Sequence, residues 1–103
     1  MEKQLTLKET IEKLAMKAAK KWNRSSETKK EHYECEGTSV IFEEVDDETY
    51  TKVSSASENF SLAEIAELGI DVSESNEDFI DDDVFDYLDD RMWQLVDELE
   101  KNK

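Results

Sequence analysis

Apolar residues recur at three- and four-residue intervals near both ends of the chain and alternate more tightly in the middle. Leu7, Ile11, Leu14, Ala15, Ala18 and Trp22 form one face of a 3.6-residue period. Thr6-Leu7-Lys8-Glu9 just ahead of them has the spacing of a capping box. The pattern predicts a helix over about 6–22, with lysines on the rest of its surface. Between 31 and 56 the period changes. Tyr33 and Cys35 alternate with Glu34 and Glu36, Gly37-Thr38 reads as a turn, and Val40-Ile41-Phe42 is β-branched and aromatic. Asp46-Asp47-Glu48 reads as a second turn, and Tyr50 to Val53 as a third run. Short runs bounded by turn residues predict a three-stranded antiparallel meander. Ser61-Leu62-Ala63-Glu64 is a second capping box, with Phe60 and Ile65 spaced as a hydrophobic staple. Gly69 ends that short helix, about 62–68, and Ile70 is placed to fold back on Ile65. From Asn76 to Lys101, the residues Ile80, Val84, Leu88, Met92, Leu95, Val96 and Leu99 form one stripe, broadened by Phe85 and Trp93. A break is expected near Asp81, and loops at 23–30 and 54–59. The predicted fold is α+β: an N-terminal helix, a three-stranded antiparallel meander, a short helix and an acidic C-terminal helix, in one domain over 1–103.

Charge changes this picture more than composition does. The 103 residues hold 28 acids against 13 lysines and arginines, a formal charge of −15, and only 37% are hydrophobic. A thin core under a heavily charged surface is expected. Residues 1–31 carry nine basic and five acidic side chains, a net of +4. Residues 32–103 carry four basic and 23 acidic ones, a net of −19. The window 53–90 has thirteen acids and no base at all. Direct binding of nucleic acid is disfavoured, because phosphates demand Lys and Arg. A basic protein is the natural complement of such a field. The single cysteine, Cys35, excludes an internal disulfide. The first residues lack the apolar run of a signal peptide, and no stretch approaches the roughly 18 apolar residues of a membrane span. A cytoplasmic protein, away from membranes and without a cofactor, is expected.

The candidate binding residues are the acids Asp46, Asp47, Glu48, Glu74, Glu77, Asp78, Asp81, Asp82, Asp83, Asp86, Asp89 and Asp90. DNA presents a charge about every 1.7 Å of its axis. Carboxylates three or four apart on a helix recur about every 5–6 Å. One helix is therefore too sparse to copy a duplex, but a helix edge with acidic turns beside it comes closer. The plain alternative is a solvated face, although such faces normally mix signs. Other chemistry fits less well. Asp71, Ser73, Ser75, Glu77 and Asp82 have the offsets of a calcium loop, but Asn76 replaces its glycine, Asp82 its terminal glutamate, and Asp78 its hydrophobic position. Residues 61–70 resemble the start of a helix-turn-helix, but the segment that would enter DNA is acidic. His32 and Cys35, three apart in a predicted strand, point to opposite faces, and Cys35 shares the core parity of Tyr33. No glycine-rich phosphate loop exists. An enzyme is not expected. Trp22 and Trp93 are read as core anchors, whereas an exposed aromatic amid acids would mark an interface.

A short, strongly acidic, cysteine-poor chain with a helix, a β-meander and an aspartate-rich C-terminal helix, carrying Asp81-Asp82-Asp83, Asp86 and Asp89-Asp90, resembles in composition and element order the small phage-encoded anti-defence proteins, the DNA-mimic anti-CRISPR and anti-restriction proteins. The resemblance implies a non-catalytic inhibitor that blocks the nucleic-acid groove of a host nuclease or surveillance complex. The basic first helix departs from a uniformly acidic mimic, and is expected to pack behind the acidic face. The alternative is an immunity- or antitoxin-like protein that binds one basic toxin or enzyme through an aromatic anchor. Monomer and homodimer are equally open.

Overall fold

The computed structural model describes residues 5–101. Among these there is no strand. Helix α1, Leu7–Arg24, starts on the expected capping box: Thr6 Oγ1 accepts the Glu9 amide at 3.2 Å, and the Glu9 carboxylate accepts the Thr6 amide at 3.2 Å. It is followed by α2, Glu27–Glu36, and α3, Ser39–Ser54. Two short helices come next, α4, Ala56–Asn59, and α5, Leu62–Ala66. A 3-10 turn over Glu74–Phe79 leads into the long α6, Ile80–Lys101. No helix among the described residues is long and apolar enough to cross a membrane.

Helix α1 packs against α6 on one flank and α3 on the other, and α3 also meets α6. The expected apolar face of α1 is buried, as are Ile80, Val84, Leu88, Met92, Leu95 and Val96 of α6. Burial of each such side chain contributes about 1.5–3 kcal/mol. Aromatic rings fill the seams. Trp22 and Trp93 meet edge-on with centroids 4.8 Å apart, and Phe42 stacks on Tyr50 at 5.7 Å and meets Phe85 edge-on at 6.1 Å. Both tryptophans therefore sit in or against the core.

The meander is overturned: residues 31–56 are helical, so the fold is all-α rather than α+β. The physical reason differs along the segment. In α2, Ser26 caps the helix through the Lys29 amide at 3.2 Å, and Gly37, at φ 99°, ends it. The Tyr33/Cys35 alternation spans too few residues to define a period. Only Tyr33 is buried, while Cys35 is exposed. In α3 the β-branched run belongs to a helical series, Ile41, Val45, Thr49 and Val53, whose members are buried or half-buried. Packing against α1 outweighs local β propensity, as tertiary context commonly does. The expected turn at Asp46-Asp47-Glu48 is a kink within α3. Asp46 has non-helical φ −168° and ψ 78°, and its carboxylate accepts the Thr49 amide at 3.2 Å and the Thr49 hydroxyl at 2.8 Å. That is an N-cap, and it restarts the helix. The predicted loops at 23–30 and 54–59 contain the start of α2 and the whole of α4. The expected break near Asp81 falls at the junction of the 3-10 turn with Ile80.

Candidate functional site

The site begins with the acids that α6 and the turn before it carry. Asp82, Asp86 and Asp90 are exposed and lie at four-residue spacing on α6, so successive carboxylates are about 6 Å apart along its axis. Asp97, one further turn pair along, is exposed on the same edge. Glu74, Glu77 and Asp78 are exposed on the 3-10 turn. The turn is tied by its own bonds. Asp71 accepts the Ser73 amide at 2.9 Å, and Asn76 donates to the Asp71 carbonyl at 2.6 Å and to Asp83 at 3.0 Å. The Ser73 amide and hydroxyl hold the Asp71 carboxyl below its ordinary range.

Four of the twelve candidate acids are engaged in the fold and are only half exposed. Asp46 pairs with Lys17 at 2.9 Å and caps the second part of α3. The hydrogen bond from Lys17 is the main cause of its lowered pKa. Asp81 accepts the Ser57 amide at 2.9 Å and its hydroxyl at 3.1 Å, capping α4 from a distant helix. Asp83 holds Asn76, and Asp89 accepts the Thr38 hydroxyl at 2.6 Å, at the start of α3. The other eight, Asp47, Glu48, Glu74, Glu77, Asp78, Asp82, Asp86 and Asp90, are exposed. The structure thus divides the expected single face. Residues 74–90 form one acidic edge, whereas Asp46 sits against α1 among Lys13, Lys17 and Lys52.

Helix α1 packs against α6, but its lysines make no direct ion pair with the acids of that edge among the described residues. Three ion pairs are present among the described residues: Lys17–Asp46, Lys29–Glu44 at 3.3 Å, and Arg91–Glu12 at 2.6 Å. None involves an acid of 71–90. The Glu12 carboxylate raises the Arg91 pKa further.

Two large apolar side chains are open to solvent, and one of them, Phe79, belongs to the acidic segment. Phe79 is 57% exposed and Leu62 is 51% exposed, the large hydrophobics most open to solvent among the described residues. Phe79 adjoins Asp78 and lies one residue ahead of the buried stripe that begins at Ile80. Its signal in the sequence was its place outside the 80–84–88 series. Glu44 was also missed. It accepts a hydrogen bond from the Tyr33 hydroxyl and pairs with Lys29. The Tyr33 bond is the chief cause of its lowered pKa. Burial, with Glu44 adding to it, pushes Tyr33 up to about 12.

His32 and Cys35 share one face of α2, three residues apart, rather than opposite faces of a strand. Both are exposed. Among the described residues no three His, Cys, Asp or Glu side chains converge to hold a metal ion. Of the calcium-loop offsets, the carboxylates Asp71, Glu77 and Asp82 form no such group. Comparison of the chain with known protein families, with characterised proteins and with solved structures finds no match.

Proposed function

We propose that the protein is a non-catalytic binding protein that occupies a basic, nucleic-acid-binding groove of a partner protein. The observation that carries this reading is the exposed acidic edge of Glu74, Glu77, Asp78, Asp82, Asp86 and Asp90, with no base between residues 53 and 90. Its carboxylates engage lysines and arginines that otherwise hold phosphates, and the unpaired field steers association. The meander that formed part of the resemblance to DNA-mimic anti-CRISPR and anti-restriction proteins is not present among the described residues, but the shared acidic composition still makes defence nuclease complexes the first partners to test.

Phe79 favours a second reading, in which one basic toxin or enzyme is bound through an apolar anchor ringed by acids. A DNA-retention assay on purified nuclease complexes separates the two. On the first reading the protein displaces DNA stoichiometrically, less so as salt rises, and Asp82→Lys/Asp86→Lys/Asp90→Lys abolishes displacement while Phe79→Ala spares it. Loss through Phe79→Ala alone, with salt-insensitive affinity, supports the anchor instead. No displacement across the panel, with an intact fold, removes the mimic reading for those complexes.

A further inference from the structure

Between α1 and the second part of α3 lies a hollow of about 290 Å³, near the small end of the range of ligand pockets, about 300–1,000 Å³. The half-buried Leu5 and Phe60 give it an apolar lining, with the fully buried Leu14 beneath them. Lys13 and Lys17 reach it from α1 and Lys52 from α3. Lys17 is engaged with Asp46, and Asp46 is also bonded to Thr49. Lys13 and Lys52 have no carboxylate within ion-pair distance among the described residues. One acid and three lysines thus line the hollow, in a chain whose acids outnumber its bases by 28 to 13.

We propose that this hollow binds a small organic anion: one carboxylate or phosphate-type head between Lys13 and Lys52, on a compact apolar body that rests on Leu5 and Phe60. The excess of positive charge selects the head, and the lining selects the body. A bare inorganic ion satisfies the lysines but leaves the lining wet. An uncharged apolar molecule leaves the ammonium groups without a partner. The net charge of −15 does not forbid the site, because fields from more than about 8 Å away are largely screened at physiological ionic strength. The site is separate from the acidic edge on α6 and stands whether or not that edge binds a partner.

The test is an amide chemical-shift titration with 2-naphthoate, its uncharged analogue 2-naphthalenemethanol, and inorganic phosphate. 2-Naphthoate is expected to give saturable shifts centred on Thr10, Thr49, Lys52 and Phe60. The alcohol should bind at least about fivefold more weakly, the scale of one or two exposed charge contacts, and phosphate at least about fivefold more weakly for want of the buried apolar body. Lys13→Gln/Lys52→Gln should weaken naphthoate by about fivefold or more, and Lys8→Gln, exposed on another side of α1, should leave it unchanged. Equal affinity for naphthoate and the alcohol, equal affinity for phosphate, or shifts that are non-saturable or centred elsewhere would each overturn the proposal. So would full affinity in the double variant.

Discussion

Asp46 does three things with one carboxylate. It caps a helix restart, pairs with Lys17 and lines a hollow. Its loss therefore separates into parts. Asp46→Ala should cost about 1–2 kcal/mol, since an N-cap is worth about 0.5–2 and a solvent-accessible ion pair about 0.2–1. Asp46→Asn keeps a capping oxygen and should lose only the ion-pair share. Urea unfolding of the two variants checks this, and equal losses would show that the cap contributes little. The pH dependence has a definite sign. A carboxyl whose folded pKa is depressed stabilises the fold above its unfolded pKa, and that stability disappears as pH falls through the folded value. The gap between wild type and Asp46→Asn should therefore be full at neutral pH and close as pH falls through and below the ordinary aspartate range. Taking the difference removes the opposite trend, in which acid relieves repulsion among the other carboxylates. Tyr33 works at the other end of the scale. Its pKa near 12 means that the neutral phenol is the form the fold holds. Its contribution is complete below the ordinary tyrosine pKa and is lost as pH rises towards about 12.

At the scale of elements, α6 shows a cost that sequence alone makes visible. Asp82 lies in its first turn, where an acid suits the helix dipole. Asp86 lies beyond that turn and faces Asp82 and Asp90 at four-residue spacing, where like charges cost about 0.2–0.5 kcal/mol each. Asp86→Asn should raise the melting temperature slightly, whereas Asp82→Asn should lower it. Gly37 gives a second prediction. Its φ of 99° is unfavourable for an L side chain, and a Cβ there meets nothing nearer than the Ser39 hydroxyl at 4.0 Å. Gly37→Ala should therefore cost about 1–3 kcal/mol of pure backbone strain, read from the denaturation midpoint. Both flanking helices and the short one between them were legible, α1 and α5 from their caps and α1 and α6 from their periods. Thr6 with Glu9, and Ser61 with Glu64, form the bonds that their spacing promised. The middle was misread for want of length. Tyr33/Cys35 offered two alternations, and Val40-Ile41-Phe42 offered propensity, while the 41–45–49–53 series that decides the matter runs through an interrupting turn signal. The acidic edge was legible as composition. Which of its carboxylates would turn inward was not, because Ser57 and Thr38, the partners of Asp81 and Asp89, lie 24 and 51 residues away.

Over the whole molecule, the excess of negative charge is confined to a body of 42 × 35 × 25 Å. At 0.01 M salt the screening length, about 30 Å, is comparable with that body, and at 0.1 M it is about 10 Å. Repulsion among the unpaired acids should outweigh three ion pairs that are open to solvent. Raising salt from 0.01 to 0.3 M should therefore increase thermal stability, by several degrees for each 1 kcal/mol of repulsion relieved. A steady fall in melting temperature with salt would reverse that ranking. The kink in α3 has a consequence of another kind. Beyond Asp46 the helical ladder starts afresh, so the stretch that carries Ile41 and Phe42 and the stretch that carries Val53 share no continuous run of backbone hydrogen bonds. The stack of Phe42 on Tyr50 bridges them. Such a joint lets the later part open to solvent as a unit while the earlier part stays closed, and amide hydrogen exchange should resolve the two as separate opening events. Tyr50→Ala, by removing the bridge, should speed exchange after the kink well before it speeds exchange in α1.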